Sequence, residues 1–167
     1  AQYIVSECRY SHLRDEVMKK MRERGLKCRC IRCREVGYFV RRGGEVDFES
    51  VKMKRMEYAA SGGKEIFLSF EDVKNDVLIS LLRLRIDERA IIREVHTYGL
   101  QVGIGGRPDE NSFQHRGFGK KLLSEAERIA KEEFGMGKLF VIAGVGVREW
   151  FYRQGYRLDG YYVSKEL

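Results

Sequence analysis

The chain reads as a mixed α/β fold, and three observations carry that reading. Strand-like segments follow one another from Glu65 to Tyr98, after which helical and strand-like segments alternate to the end of the chain. Leu82, Leu84 and Ile86 alternate with Arg83 and Arg85, the period of a strand with one apolar and one basic face. The run Gln114-His115-Arg116-Gly117-Phe118-Gly119-Lys120 then opens a segment in which Leu122, Leu123, Ala126, Ile129 and Ala130 recur at helical spacing.

Taken in order, residues 12–24 form a charged amphipathic helix with Leu13, Val17 and Met21 on one stripe, ended by Gly25. A cysteine-rich turn and a short apolar patch, Val36 to Val40, follow. A second basic helix is expected over Phe48 to Ala60, stopped by Ser61-Gly62-Gly63. From Lys64 the pattern changes: Glu65 to Phe70 and Val77 to Ile86 form a hairpin, and Ala90 to Tyr98 is the next strand. A glycine-rich stretch with the single proline leads into the turn at Gln114. The helix after it runs to about Phe134 and ends at Gly135-Met136-Gly137. Lys138 to Ala143 is a buried strand, Val147 to Gln154 a short helix, and Tyr156 to Lys165 a last strand. The expected organisation is a basic, helical connector over 1–63 and a globular domain over 64–167.

At 167 residues the chain builds an ample core without disulfides. No stretch approaches the 18 or so apolar residues of a membrane span, so a cytoplasmic protein without membrane contact is expected. The net charge of +7 is segregated: residues 1–56 hold 15 Lys/Arg against 8 Asp/Glu, and the remainder 17 against 17. A basic segment of this kind attracts polyanions, nucleic acid first among them; the plain alternative is a solvated helix face. Lys19, Lys20, Arg41 and Arg42 are the candidate phosphate contacts. Three of the four cysteines, Cys28, Cys30 and Cys33, fall within six residues as C-x-C-x-x-C. Thiolates so spaced can share one zinc ion with a fourth ligand, for which Cys8 and His12 are candidates. Nearby Arg29, Arg32 and Arg34 favour the thiolate form. The alternative is three ordinary reduced thiols.

The turn at Gln114 to Lys120 has a definite chemistry. Its glycines let a ligand approach the backbone and take positive φ where required. The free N–H groups and dipole at the helix start attract phosphate. His115 and Arg116 fit phosphate contact or loop orientation, and Lys120 and Lys121 add positive charge. A strand, a loop, this turn and a helix form the layout by which GNAT acetyltransferases hold the pyrophosphate of coenzyme A. The flanking residues resemble one family throughout: Ile31-Arg32-Cys33-Arg34-Glu35-Val36-Gly37, Phe67-Leu68-Ser69-Phe70-Glu71-Asp72, Val95-His96-Thr97-Tyr98-Gly99, Gln114 to Gly119, Gly144-Val145-Gly146-Val147-Arg148 and Gly155-Tyr156 are similar to the acetyltransferase domain of the Elongator catalytic subunit. That family makes 5-carboxymethyluridine at the wobble position of tRNA.

The resemblance implies a GNAT fold, acetyl-CoA as cofactor, tRNA as partner, and a radical SAM domain, with iron–sulfur cluster and S-adenosylmethionine, whose cysteine spacing this chain lacks. It implies that Val95, His96, Thr97 and Tyr98 lie along the pantetheine arm. Gln114, His115, Arg116, Gly117, Phe118, Gly119, Lys120 and Lys121 would surround the pyrophosphate, and Phe151 would pack at the thioester. His96, or Glu94 on the same face, is a candidate base; the alternative for His96 is packing beside the cleft. GNAT enzymes often place a tyrosine four residues before the glycine at 155, and Elongator relatives a Tyr-Tyr pair; this chain has Trp150-Phe151. Phe151 has no hydroxyl to protonate a departing thiolate. Tyr152 and Tyr156 are the next candidates for the acid, with Tyr161 and Tyr162 behind them. Smaller departures are Ala143, where relatives often have Ser, and Tyr161, where they have Pro. Two rival readings are a protein lysine N-acetyltransferase, disfavoured by the basic front third, and a non-catalytic module that holds tRNA and acetyl-CoA.

Overall fold

The computed structural model describes residues 12–99 and 117–167. The chain divides into two compact units, residues 1–33 and 34–167. The first contains α1 (Leu13–Glu23), followed by Gly25 at φ +66°. Leu13 and Val17 of its apolar stripe are exposed. A turn of helix, α2 (Ile31–Arg34), leads across the boundary.

The second unit is built on one seven-stranded sheet: β1 (Val51–Ala60), β2 (Gly63–Asp72), β3 (Val77–Ile86), β4 (Ala90–Thr97), β5 (Lys138–Val141), β6 (Arg157–Asp159) and β7 (Tyr162–Glu166), in the spatial order β1-β2-β3-β4-β5-β7-β6. Three expectations are corrected here. The segment expected as a helix over Phe48 to Ala60 is a short 3₁₀ turn (Phe48–Ser50) followed by β1, which pairs with β2 along ten residues. Its helix-favouring Lys, Met, Glu and Ala residues are overridden by that ladder, and Ser61 (φ +48°) and Gly62 (φ +75°) form the hairpin turn rather than a helix end. Arg85 fixes the turn, donating to the carbonyls of Ala60 (3.0 Å) and Ser61 (2.9 Å). The expected domain boundary at 63 therefore falls inside the sheet, whose compact unit begins at Arg34. The single last strand expected from Tyr156 to Lys165 is the β6–β7 hairpin, turned at Gly160 with φ +60°.

Helix α3 (Val36–Val40) precedes the sheet, its start capped by Glu35, whose carboxylate accepts from the N–H of Gly37 at 3.0 Å. The core lies between one sheet face and α4 (Phe118–Arg128), which continues as a π turn (Ile129–Glu133). Phe118, Leu122, Leu123, Ala126, Ile129 and Ala130 form the buried stripe of that helix, and Ile66, Leu68, Leu82, Leu84 and Ile92 the sheet side of the same core. Arg55 holds the exposed β1 against this layer through a two-bond ion pair with Glu133 (2.8 and 2.6 Å). Asp72, fully buried at the end of β2, accepts from the N–H groups of Asp47, Lys74 and Asn75, from the Asn75 amide and from Ser50 Oγ. It ties the β2–β3 turn to the segment before β1.

One feature of the sheet prepares a site. β4 and β5 run parallel and pair only from Ala90↔Leu139 to Ile92↔Val141, with one more bond from Ile142 N–H to the Ile92 carbonyl (3.0 Å). β4 continues to Thr97 beside β3, while β5 ends at Val141. Past Ile92 the two strands diverge, and among the described residues the β5-side backbone edge of β4 has no strand partner.

Candidate active site

The divergence of β4 and β5 opens into a cleft of about 530 Å³. One wall is Val95 and Thr97 of β4 with Gly117, Gly119 and Lys120 at the start of α4; the other is Gly146, Val147, Trp150 and Phe151. Strand alternation decides which β4 side chains enter. Val95 is the partner of core residue Leu82 and Thr97 of Ser80, so both face the α4 side. His96, paired with Leu81, faces the other way; it is exposed, 4.2 Å ring to ring from Tyr98, and neither lines the cleft. Burial first, then the charges of Glu94 and Glu35, push the Tyr98 hydroxyl pKa upward.

The α4 start has the geometry of an anion cradle. Gly117 is its N-cap, at φ +75°, where a side chain would be strained. The first intrahelical bond is from Lys121 N–H to the Gly117 carbonyl (3.0 Å), so the N–H groups of Phe118, Gly119 and Lys120 lie before the helix ladder. A methyl on Gly119 would lie 3.5 Å from Thr97 Oγ1 and 3.8 Å from the Trp150 ring: glycine keeps the two walls open between them. Phe118 turns its ring into the core against Phe70 (4.9 Å), so only its backbone belongs to the turn. Lys120 lines the cleft and Lys121 does not. Gln114, His115 and Arg116 lie outside the described residues.

The far wall is carried by α5 (Arg148–Tyr152). Phe151 is buried, edge-on to Trp150 (4.8 Å) and to Tyr156 (5.6 Å). Tyr152 is partly exposed and outside the cleft lining. Tyr156 is buried behind Phe151 and its hydroxyl donates to Glu127 Oε1 at 2.9 Å. Burial, and then the Glu127 carboxylate, push its pKa far up. None of the candidate acid–base residues, His96, Glu94, Tyr152, Tyr156, Tyr161 and Tyr162, lines the cleft. Sequence reasoning passed over Gly146, Val147 and Trp150 as site residues; the glycine pair of Gly144-Val145-Gly146-Val147 was the available signal. A methyl on Gly146 would meet nothing within 4 Å, so this segment presents open backbone to the cleft.

In the first unit the sulfurs of Cys28, Cys30 and Cys33 all lie within 4.8 Å of one another. Tetrahedral zinc–sulfur bonds of about 2.3 Å require sulfurs a little under 4 Å apart, a small contraction from this arrangement. The Cys33 backbone N–H and the Cys28 thiol lower the Cys30 thiol to about 7, burial opposing them, and Arg14 donates to Cys33 Sγ at 3.2 Å. Burial, and then the neighbouring Cys30 and Cys28, push the Cys33 thiol up. Three sulfurs converging at this distance are a donor set that fits a thiophilic metal. His12 does not join the cluster; its Nδ1 lies 3.8 Å from Asp15. Cys8 lies outside the described residues.

A glycine turn at a helix start, facing the wedge between two diverging parallel strands of a mixed sheet, defines a GNAT acetyltransferase fold. No family model matches the chain. It is 48% identical to a tRNA uridine(34) acetyltransferase of Methanocaldococcus infernus, over all of this chain and 33% of that protein. It is 46% identical to Elongator complex protein 3 of Dictyostelium discoideum, over 98% of this chain and 31% of that one. A solved structure of the archaeal Methanocaldococcus infernus Elp3 with an N-terminal deletion matches with a TM-score of 0.83 and 49% identity, over 94% of this chain and 39% of that one. The chain is thus a homologue of the tRNA uridine(34) acetyltransferases and Elongator complex protein 3, and spans about a third of the length of those relatives.

Proposed function

We propose that this chain is the acetyl-CoA-binding acetyltransferase domain of an Elongator-type enzyme that modifies the wobble uridine of tRNA. The observation that carries the reading is the cleft itself, where a strand edge with no partner among the described residues meets a glycine-opened helix start. The N–H groups of Phe118, Gly119 and Lys120, with the helix dipole and the Lys120 ammonium, hold the diphosphate. The backbone edge of β4 at Val95 and Thr97 takes the amides of the pantetheine arm as an added strand would. Trp150 and Phe151 cover the arm from the opposite side. Bound there, acetyl-CoA supplies an activated acyl group as its thioester. In the full-length protein a radical SAM domain carries out the carbon–carbon chemistry, and the excess positive charge of residues 1–56, Lys19, Lys20, Arg41 and Arg42 among it, engages tRNA phosphates. Zinc at Cys28, Cys30 and Cys33 is structural, fixing the turn after α1. A cytoplasmic setting follows from the tRNA substrate.

A second reading, a module that binds acetyl-CoA and tRNA without turnover, is favoured by one observation: Phe151 stands where a tyrosine hydroxyl would protonate the departing thiolate. The test is acetyl-CoA affinity by calorimetry, with release of free CoA measured with and without tRNA. Micromolar binding with tRNA-stimulated hydrolysis is expected. Losing a general acid typically costs about 10²–10⁴-fold in rate, so Phe151→Tyr should raise a weak turnover. Binding without hydrolysis in both proteins favours the second reading; no binding refutes both.

A further inference from the structure

We infer that Glu127 is a positioning residue for the far wall of the cleft: through Tyr156 and Lys165 it locks the segment carrying Trp150 and Phe151 against the helix whose first turn forms the near wall. The inference rests on the reading that the cleft holds acetyl-CoA. Glu127 lies in α4 eight residues after Gly119, about 12 Å along the axis at 1.5 Å per residue. Its two carboxylate oxygens are both engaged, Oε1 by the Tyr156 hydroxyl (2.9 Å) and Oε2 by Lys165 Nζ (2.8 Å). Tyr156 is in turn joined to Phe151 twice: its N–H donates to the Phe151 carbonyl (3.2 Å), and the two rings meet edge-on. The Phe151 ring in turn meets that of Trp150 edge-on at 4.8 Å.

The chain of contact runs from α4 through Glu127 and Tyr156 to Phe151 and Trp150, and returns to α4 where Trp150 approaches Gly119. It closes a loop around the cleft. The pantetheine arm is thin, and an opposing wall grips it only at a set separation, so a single carboxylate far from the diphosphate controls the grip on the arm. Lys165, on β7, orients that carboxylate and is a positioning residue of the same kind.

The test uses Glu127→Ala, Glu127→Gln and Tyr156→Phe in the whole chain, with two readouts. Trp150 is the only tryptophan, so its emission and its quenching by acrylamide, with no ligand present, report the wall directly. Calorimetry with acetyl-CoA reports the grip. Glu127→Ala and Tyr156→Phe should make Trp150 more quenchable and weaken acetyl-CoA by about threefold to tenfold, the size of one ordinary hydrogen bond felt at the arm. Glu127→Gln keeps an acceptor for the Tyr156 hydroxyl and should restore most of both. Should Glu127→Ala not fold, Tyr156→Phe, which removes one oxygen, carries the test. Unchanged quenching and affinity in a folded variant, even with a lower melting temperature, overturns the inference. A native chain that fails to bind acetyl-CoA overturns the cofactor reading, and the quenching series then still decides whether Glu127 sets the wall.

Discussion

Replacing Gly119 by alanine should make the protein more stable and its cleft less able to bind. Glycine inside a helix costs about 0.5–1 kcal/mol relative to alanine, because it loses more backbone freedom on folding. Gly119 is in the first turn of α4, and the added methyl would sit 3.5 Å from Thr97 Oγ1 and 3.8 Å from the Trp150 ring, ordinary contact distances with no overpacking. The ligand-free fold should therefore gain up to about 1 kcal/mol. The same methyl projects between the two walls, where a diphosphate and pantetheine arm would pass. Displacing a packed ligand by one carbon costs about 1–3 kcal/mol, which raises Kd by about fivefold to a hundredfold. Urea denaturation without ligand and calorimetry with acetyl-CoA measure the two effects separately. Gly117→Ala is the contrast: nothing lies within 4 Å of the new methyl, but φ +75° imposes about 1–2 kcal/mol of backbone strain, so stability falls instead. If Gly119→Ala binds acetyl-CoA as tightly as the native chain, the ligand does not pass the start of α4, and the assignment of the cleft fails.

Three further outcomes follow from the structure. Burial raises the Asp72 carboxyl, but the bonds from Ser50, Asn75 and the Asp47 N–H outweigh it and hold it at about 2, below its ordinary 3.8. At about 1.36 kcal/mol per tenfold change in proton affinity this is roughly 2 kcal/mol of stability, complete above pH 4 and lost as pH falls through 2; Asp72→Asn should lack that acid-sensitive portion in denaturation curves taken from pH 5 to pH 2. Purified, untagged protein should carry about one zinc per chain by elemental analysis, the stoichiometry of a closed structural site, and less than a tenth of that points to free thiols. Charge reversal at Lys19, Lys20, Arg41 and Arg42 should weaken tRNA binding and flatten its salt dependence without altering acetyl-CoA affinity, since each phosphate contact releases counterions; an unchanged salt slope places the RNA contacts elsewhere.

Much of the second unit was legible because its signals are local. The stripe of Leu122, Leu123, Ala126, Ile129 and Ala130 needs only helical geometry to be read, and it is buried as the spacing requires. The turn residues at Gly117 and Gly119 are visible as glycines, and the conformation of the first, φ +75°, accounts for one of them. Residues 51–60 were not legible as a strand. Their composition favours helix, their side chains are mostly exposed, and the determinant is a ladder to β2 that no local property encodes.

The division is clearest at the cleft. The sequence by itself determined that a glycine turn opens a helix after a run of strands, that three cysteines stand close together, and that no hydroxyl occupies position 151. Each depends on neighbours along the chain. Only the tertiary structure decided which β4 side chains face the cleft, because alternation is anchored by the register with β3: Val95 and Thr97 enter, His96 and Tyr98 do not. It alone turned the Tyr156 hydroxyl to Glu127, 29 residues away in sequence, and brought Trp150 within van der Waals reach of the Gly119 position. Pairing across strands and between helix and strand is long-range, and its outcome is settled by the packing of the whole core rather than by any segment of it.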